Sequence, residues 1–254
     1  MGFNLNSVYG TGMSLISVNT SLSTMLRSME KLSSGLRINR ASDDPAGLVI
    51  SEQLRSQIAG LNQEIENLSA SINKYETATS TVSSLRSSLT EVRTMALAAA
   101  NEGFLSDDTR AAYAATAESM TEAFNETVQN AEFNGMKLLD GSAGALAEVA
   151  ELSGIDLSSA EAAAQSVEVI DQAVKDLDAV QVDLAVTQKN DLESRRVTLE
   201  ITRENLTAAE SQVRDTDYAL EVSNFIGSMI RTQASLAMLT YSNISGASIL
   251  KLFE

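Results

Sequence analysis

Apolar residues recur along this chain at alternating steps of three and four. Leu15, Val18, Leu22, Met25, Met29, Leu32 and Leu36 form one such series, the a and d positions of a heptad, and predict an N-terminal helix with a turn beginning at Gly35. A second series runs Leu54, Ile58, Leu61, Ile65, Leu68, Ile72, Tyr75, Thr79, Val82, Leu85, Leu89, Val92 and Ala96. Its two successive three-residue steps at Thr79, Val82 and Leu85 are a stammer, which overwinds a helix locally without breaking it. Pro45 is the only proline, so one helix of about 50 residues is predicted from there to Ala100. A third series, Val167, Ile170, Val174, Leu177, Val180 and Leu184, leads into Leu192, Leu199, Leu206, Val213 and Leu220 at sevenfold spacing. Two long seams far apart in sequence predict antiparallel packing, because the chain must travel out and back.

Between the seams a shorter helix is predicted over 107–129. Ser106 caps it, Asp107 and Asp108 sit at its positive end, and Tyr113, Met120 and Phe124 share a face. Glycines punctuate 130–158, and Phe133, Asn134 and Gly135 predict a turn or small hairpin. The expected fold is therefore mainly all-α: an elongated antiparallel helical rod or coiled coil with a short turn or hairpin at one end. The expected divisions are 1–44 (N-terminal helix and turn), 45–130 (rod helices), 131–157 (turn segment), 158–215 (C-terminal rod helix) and 216–254 (C-terminal helix).

Charge separates the ends from the middle. Residues 1–26 contain no Asp, Glu, Lys or Arg, and residues 222–254 contain only Arg231, Lys251 and Glu254. Residues 1–40 net +3 and residues 222–254 net +1, so a total of -16 leaves -20 for 41–221. Chain ends are ordinarily the wettest part of a protein. Two apolar, almost uncharged ends predict burial against further copies of the same chain. The residues expected to carry that self-association are Leu15, Val18, Leu22, Met25, Met29 and Leu32 near the start, and Val222, Ile226, Met229 and Leu236 near the end. Backbone ordering costs about 1–2 kcal/mol per residue, more than half-burial in a lone copy returns, so the termini are expected to fold when neighbours enclose them.

Candidate chemistry is sparse. There is no Cys and no His, which removes disulfides, thiolate metal sites, the commonest zinc ligand and the commonest general base. The carboxylate pairs Asp43–Asp44 and Asp107–Asp108 fall at predicted helix starts, where capping explains them, and no enzyme, cofactor or metal is expected. The acidic middle excludes nucleic acid as a partner. No window has the roughly 18 apolar residues of a membrane span, and the first 26 residues lack the pattern of a cleaved secretory leader. The five Asn-x-Ser/Thr matches, among them Asn19, Asn67 and Asn125, read as chance in an Asn- and Ser-rich chain.

Three long blocks then carry a resemblance. KLSSGLRINRASDDPAGLVISEQL (31–54), FNGMKLLDG (133–141) and NLTAAESQVRDTDYALEVSNF (205–225) resemble, in order, the signature blocks of bacterial flagellin, and with the flanking seams the likeness covers essentially the whole chain. The resemblance implies an extracellular filament subunit for motility, exported through the flagellar apparatus with an export chaperone. It further implies contacts with hook-associated junction and cap proteins, terminal helices that line an inner tube, and a rod that forms the wall. It gives Ser42, Asp43, Asp44 and Pro45 the role of setting the angle between terminal helix and rod, although a plain helix start fits those residues equally well.

The chain also departs from its relatives. The large variable domain often found after the turn block is reduced to 142–157, and the end Lys251-Leu252-Phe253-Glu254 replaces the usual two leucines and an arginine. The stretch Thr90-Glu91-Val92-Arg93-Thr94-Met95 carries an acid where flagellins sensed by the animal Toll-like receptor carry a leading arginine, so weak or absent recognition is expected. The alternatives are a hook–filament junction adapter and a non-flagellar coiled-coil scaffold.

Overall fold

A computed structural model describes the backbone of residues 3–101 and 106–251, and the side chains of 12–101, 106–241 and 244. The chain is mainly helical. Its elements are α1 (Phe3–Ser34), α2 (Pro45–Ala99), α3 (Asp107–Asn130), β1 (Glu132–Phe133), β2 (Met136–Lys137), α4 (Ala160–Val186), α5 (Ser194–Arg214) and α6 (Tyr218–Lys251), with a π-helical turn over Thr187–Glu193 between α4 and α5. They fall into two compact units, 61–202 and the joined ends 1–60 with 203–254.

The 61–202 unit holds the main core. The α2 series is carried inward as the spacing predicts: Ile72, Val82, Leu85, Leu89, Val92 and Ala96 are buried, and the stammer passes without interrupting the helix. The third series does the same through Ile170, Leu177 and Leu184, one residue every seven, and buried Ala163 stands a further seven before them. Ion pairs tie α2 to α4 in antiparallel register, Arg86 with Asp178 at 2.6 Å and Arg93 with Asp171 by two hydrogen bonds. That arginine holds the Asp171 carboxyl below its ordinary range and is itself held more firmly protonated.

Two other expectations in this unit hold. Ser106 accepts a hydrogen bond from the Thr109 N–H and so caps α3, which starts at the Asp107–Asp108 pair and buries Phe124. Asn134 and Gly135 both take positive φ, 51° and 76°, and reverse the chain between β1 and β2, which pair Glu132 with Lys137 and Phe133 with Met136. The stretch after the hairpin is non-helical and packed, with Leu138, Leu139, Val149, Leu152 and Leu157 buried. Asn125 holds it by accepting from the Leu152 N–H at 2.8 Å and donating to the Leu152 carbonyl at 2.9 Å.

The stretch expected as a C-terminal rod helix over 158–215 carries a π turn at Thr187–Glu193. Leu184 and Leu192 are eight residues apart, one more than a heptad, and the π turn absorbs the extra residue so that Leu192, Leu199, Leu206 and Val213 resume on one side, each half-buried. The last member, Leu220, is exposed, because the helix ends at Arg214 and restarts at Tyr218. Asp217 caps the restart by accepting from the N–H groups of Ala219 and Leu220, which resets the helical phase.

Candidate assembly surface

In the unit formed by the chain ends, α1 and α6 lie antiparallel. Ser17 and Ser235 meet at 3.1 Å, Lys31 approaches Glu221 at 4.0 Å, and the Tyr218 hydroxyl donates to the Leu32 carbonyl at 3.2 Å. The buried line on α1 runs Ser14, Val18, Ser21, Met25, Ser28 and Leu32, and on α6 it runs Glu221, Phe225, Ser228, Thr232, Ser235 and Leu239. Ser21, Ser28 and Ser228 lie deepest. Small side chains at these positions let the two backbones approach closely.

The heptad expected for α1 is therefore only half internal. Val18, Met25 and Leu32 are half-buried against α6, whereas the alternate members Leu15, Leu22 and Met29 face away. On α6, Met229 is half-buried and Val222, Ile226 and Leu236 are not. These six outward residues are each between 38% and 49% exposed, and Ile16, Leu26, Ile230 and Met238 are uncovered as well. An apolar patch of this extent exceeds the scattered apolar residues of an ordinary protein surface. The last three residues, with the unusual tail, lie outside the described residues.

The turn that joins these helices to α2 and α5 is built from backbone as much as side chain. Leu36 bridges to Asp215, the Arg37 N–H donates to the Arg214 carbonyl at 2.6 Å, and the Thr216 N–H donates to the Gly35 carbonyl at 3.0 Å. The Arg37 guanidinium donates to the Val213 carbonyl at 2.6 Å. The four residues Ser42, Asp43, Asp44 and Pro45 divide their work. Pro45 opens α2, and Asp44 is its cap, its carboxylate accepting from the Gly47 N–H at 2.9 Å. Asp43 instead accepts from the N–H groups of Asn39 and Arg40 and closes the loop before the helix, while Ser42 lines a cleft of about 370 Å3 beside Arg27, Lys31 and Arg37. A Cβ on Gly47 would stand 2.5 Å from the Asp44 carboxylate and 2.7 Å from the buried Ile38 side chain, so alanine there must displace the Asp44 cap and the Ile38 side chain.

A polar network that the periodicity did not reveal locks the start of α2 to the end of α5. Buried Ser51 donates to Glu210 at 3.1 Å, and Arg214 donates to Ser51 at 3.2 Å and to Glu52 at 2.8 Å. The Arg214 hydrogen bond holds the Glu52 carboxyl below its ordinary range. Only the pairing of a small residue with an i,i+4 acid and base on the partner, Glu210 and Arg214, could have signalled it.

Among the described residues no three His, Cys, Asp or Glu converge on a possible metal position, and no helix is long and apolar enough to cross a membrane. Of the stretch 90–95, Val92 is core, Arg93 is engaged by Asp171 and Glu91 is exposed.

Paired terminal helices that meet through serines and half-buried apolar residues, and leave a second row of large apolar residues uncovered, have the character of a subunit that completes its burial by association. Comparison with known proteins specifies which. Residues 6–143 match the bacterial flagellin N-terminal helical region and residues 167–253 match the C-terminal helical region, leaving only 144–166 between them. The chain is 36% identical to a flagellin of Halalkalibacterium halodurans, with 90% of this chain and 91% of that one aligned. It is 32% identical to flagellin FlaB1 of Treponema pallidum (90% and 92% aligned) and 31% identical to a flagellin of Bacillus subtilis along the full length of both. The chain belongs to the bacterial flagellin family. It is a short flagellin, a non-enzymatic structural subunit that polymerises with its own kind into the flagellar filament of motile bacteria.

Proposed function

We propose that the α1–α6 pair is the part of this subunit that holds the filament together, with Leu15, Leu22, Met29, Val222, Ile226 and Leu236 making contacts between copies. Val18, Met25, Leu32 and Met229 join the two helices within each copy. The observation that carries this reading is the outward apolar surface on a helix pair whose own contact alternates serines with half-buried apolar residues. Burying a large aliphatic side chain contributes about 1.5–3 kcal/mol, and several such residues on each copy suffice to drive assembly. In the free subunit this pair is only partly ordered, because many of its large apolar residues stay exposed, and it becomes fixed when neighbours enclose it.

In the same reading, segments 45–130 and 158–215 form the wall around an inner tube made by 1–44 and 216–254. The Asp43 and Asp44 loop fixes the direction in which α1 leaves α2, and the Phe133, Asn134 and Gly135 turn opens the 131–157 segment and reverses the chain. The uncovered termini are also the natural grip for an export chaperone, for the export apparatus, and for junction and cap proteins at the two filament ends. The acid at Glu91 and the engagement of Arg93 make recognition by the animal receptor weak.

The test is substitution of surface without substitution of fold. Leu22→Asp and Ile226→Asp, singly, are expected to abolish sedimentable filament while the circular dichroism of the 61–202 unit is retained. Filaments formed at the ordinary yield by both variants would remove the α1–α6 surface from assembly.

A further inference from the structure

A groove of about 460 Å3 lies within the 61–202 unit, between the non-helical stretch 148–153 and α4. Its floor is apolar, made by Phe124, Val149, Leu152, Leu177 and Val180, and its rim carries Glu148, Glu151, Glu168 and Asp176. No Lys or Arg is among the lining residues, and none of the four carboxylates forms an ion pair among the described residues. Gln129 donates to Glu151 at 2.6 Å and Gln172 donates to Asp176 at 2.9 Å, so the rim is oriented by neutral amides that leave its charge uncompensated. One wall is preformed, because Asn125 takes up both the N–H and the carbonyl of Leu152.

We propose that this groove is a docking site for a basic amphipathic helix of another protein, one that seats apolar residues on the floor and presents Lys or Arg to the four carboxylates. Dimensions and charge both favour this occupant. The α4 lining runs from Glu168 to Val180, twelve residue steps or about 18 Å, which matches about three turns of a helix with anchors at i, i+3 or i+4, and i+7. The surrounding unit carries 24 acidic and 9 basic residues, a net charge of -15, against 10 acidic and 9 basic, a net charge of -1, for the unit of the chain ends. That field offers no opposite charge to a second copy of the same acidic unit, and in the proposed reading the apolar surface of a second copy's terminal helices is committed to assembly. A cationic partner is drawn to it.

The experiment uses full-length subunit and a labelled synthetic peptide of about twelve residues, Leu on one helical face and Lys on the other, read by fluorescence anisotropy at physiological salt. The peptide is expected to bind, while a partner with Glu in place of Lys, and one with Gln in place of Leu, bind at least tenfold more weakly. Val169→Asp, at the exposed edge of the groove, and Glu168→Lys are each expected to weaken binding tenfold or more. Glu118→Lys, an equal charge change on α3 outside the groove, is expected to alter it by less than about twofold. Equal binding of the Leu-free peptide, equal weakening by Glu118→Lys, or no binding of the Leu/Lys peptide would each overturn the proposal. So would loss of polymerisation in Val169→Asp with peptide binding intact, which would assign the groove to contacts between copies.

Discussion

At the scale of single residues, the fold relies on a few polar contacts placed across helix pairs. Arg93 and Asp171 join α2 to α4, and the carboxyl of Asp171 is held below its ordinary range chiefly by the arginine hydrogen bond. A depressed folded-state value means that the contribution to stability is complete above the ordinary aspartate value and is lost as pH falls below it toward the folded one. Asp171→Asn is therefore expected to lower the urea midpoint at about pH 7 and to leave it less dependent on pH below about 4 than that of the natural chain. Identical pH profiles for the two proteins would show that the pair contributes nothing. Capping residues at this scale were readable in part. Ser106 stands before an acidic pair and a helical pattern, whereas Asp217 was hidden by Leu220, which continued the sevenfold spacing across a helix break. Asp43 and Asp44 are adjacent and chemically alike, so only their partners distinguish a loop closure from a helix cap.

At the scale of elements, spacing located α1, α2, α4 and α5, while α3 was found from its cap and acidic pair; the α2 and α4 seams were the easiest to read because they face a core within the same unit. The α1 seam shows where that reading stops. Leu15, Leu22 and Met29 keep perfect heptad company with Val18, Met25 and Leu32, yet the side that meets α6 is completed by Ser14, Ser21 and Ser28. Apolar periodicity reports that a face will be covered and is silent about which molecule covers it. Small polar residues at a close helix contact look, in sequence, like a solvated face. The π turn follows a similar rule, since the eight-residue step from Leu184 to Leu192 is visible but a helix can absorb it by unwinding, breaking or bulging. Deleting Asn190 restores the seven-residue step and is expected to give an uninterrupted α-helix with an unchanged or higher thermal midpoint. Deleting Ala179, inside the regular heptad, displaces Leu184 from the core and is expected to lower stability by about 2–5 kcal/mol, the range for losing a buried leucine. Equal thermal midpoints for the two deletions would refute this account of the π turn.

At the scale of the whole molecule, the chain divides its two tasks between two units. The 61–202 unit has a closed apolar core and nearly all of the net charge, the composition of a body that folds alone and keeps its surface in water. The joined ends are almost neutral and leave large aliphatic side chains uncovered, the composition of a surface awaiting copies of itself. The most direct measurement compares polymerisation of the full-length chain with chains lacking residues 1–26 or 222–254, by sedimentation and electron microscopy of seeded samples. Filaments are expected from the intact chain alone, with the shortened chains still helical and monomeric; filaments from either shortened chain at the intact chain's yield would contradict the assignment of assembly to the terminal helices.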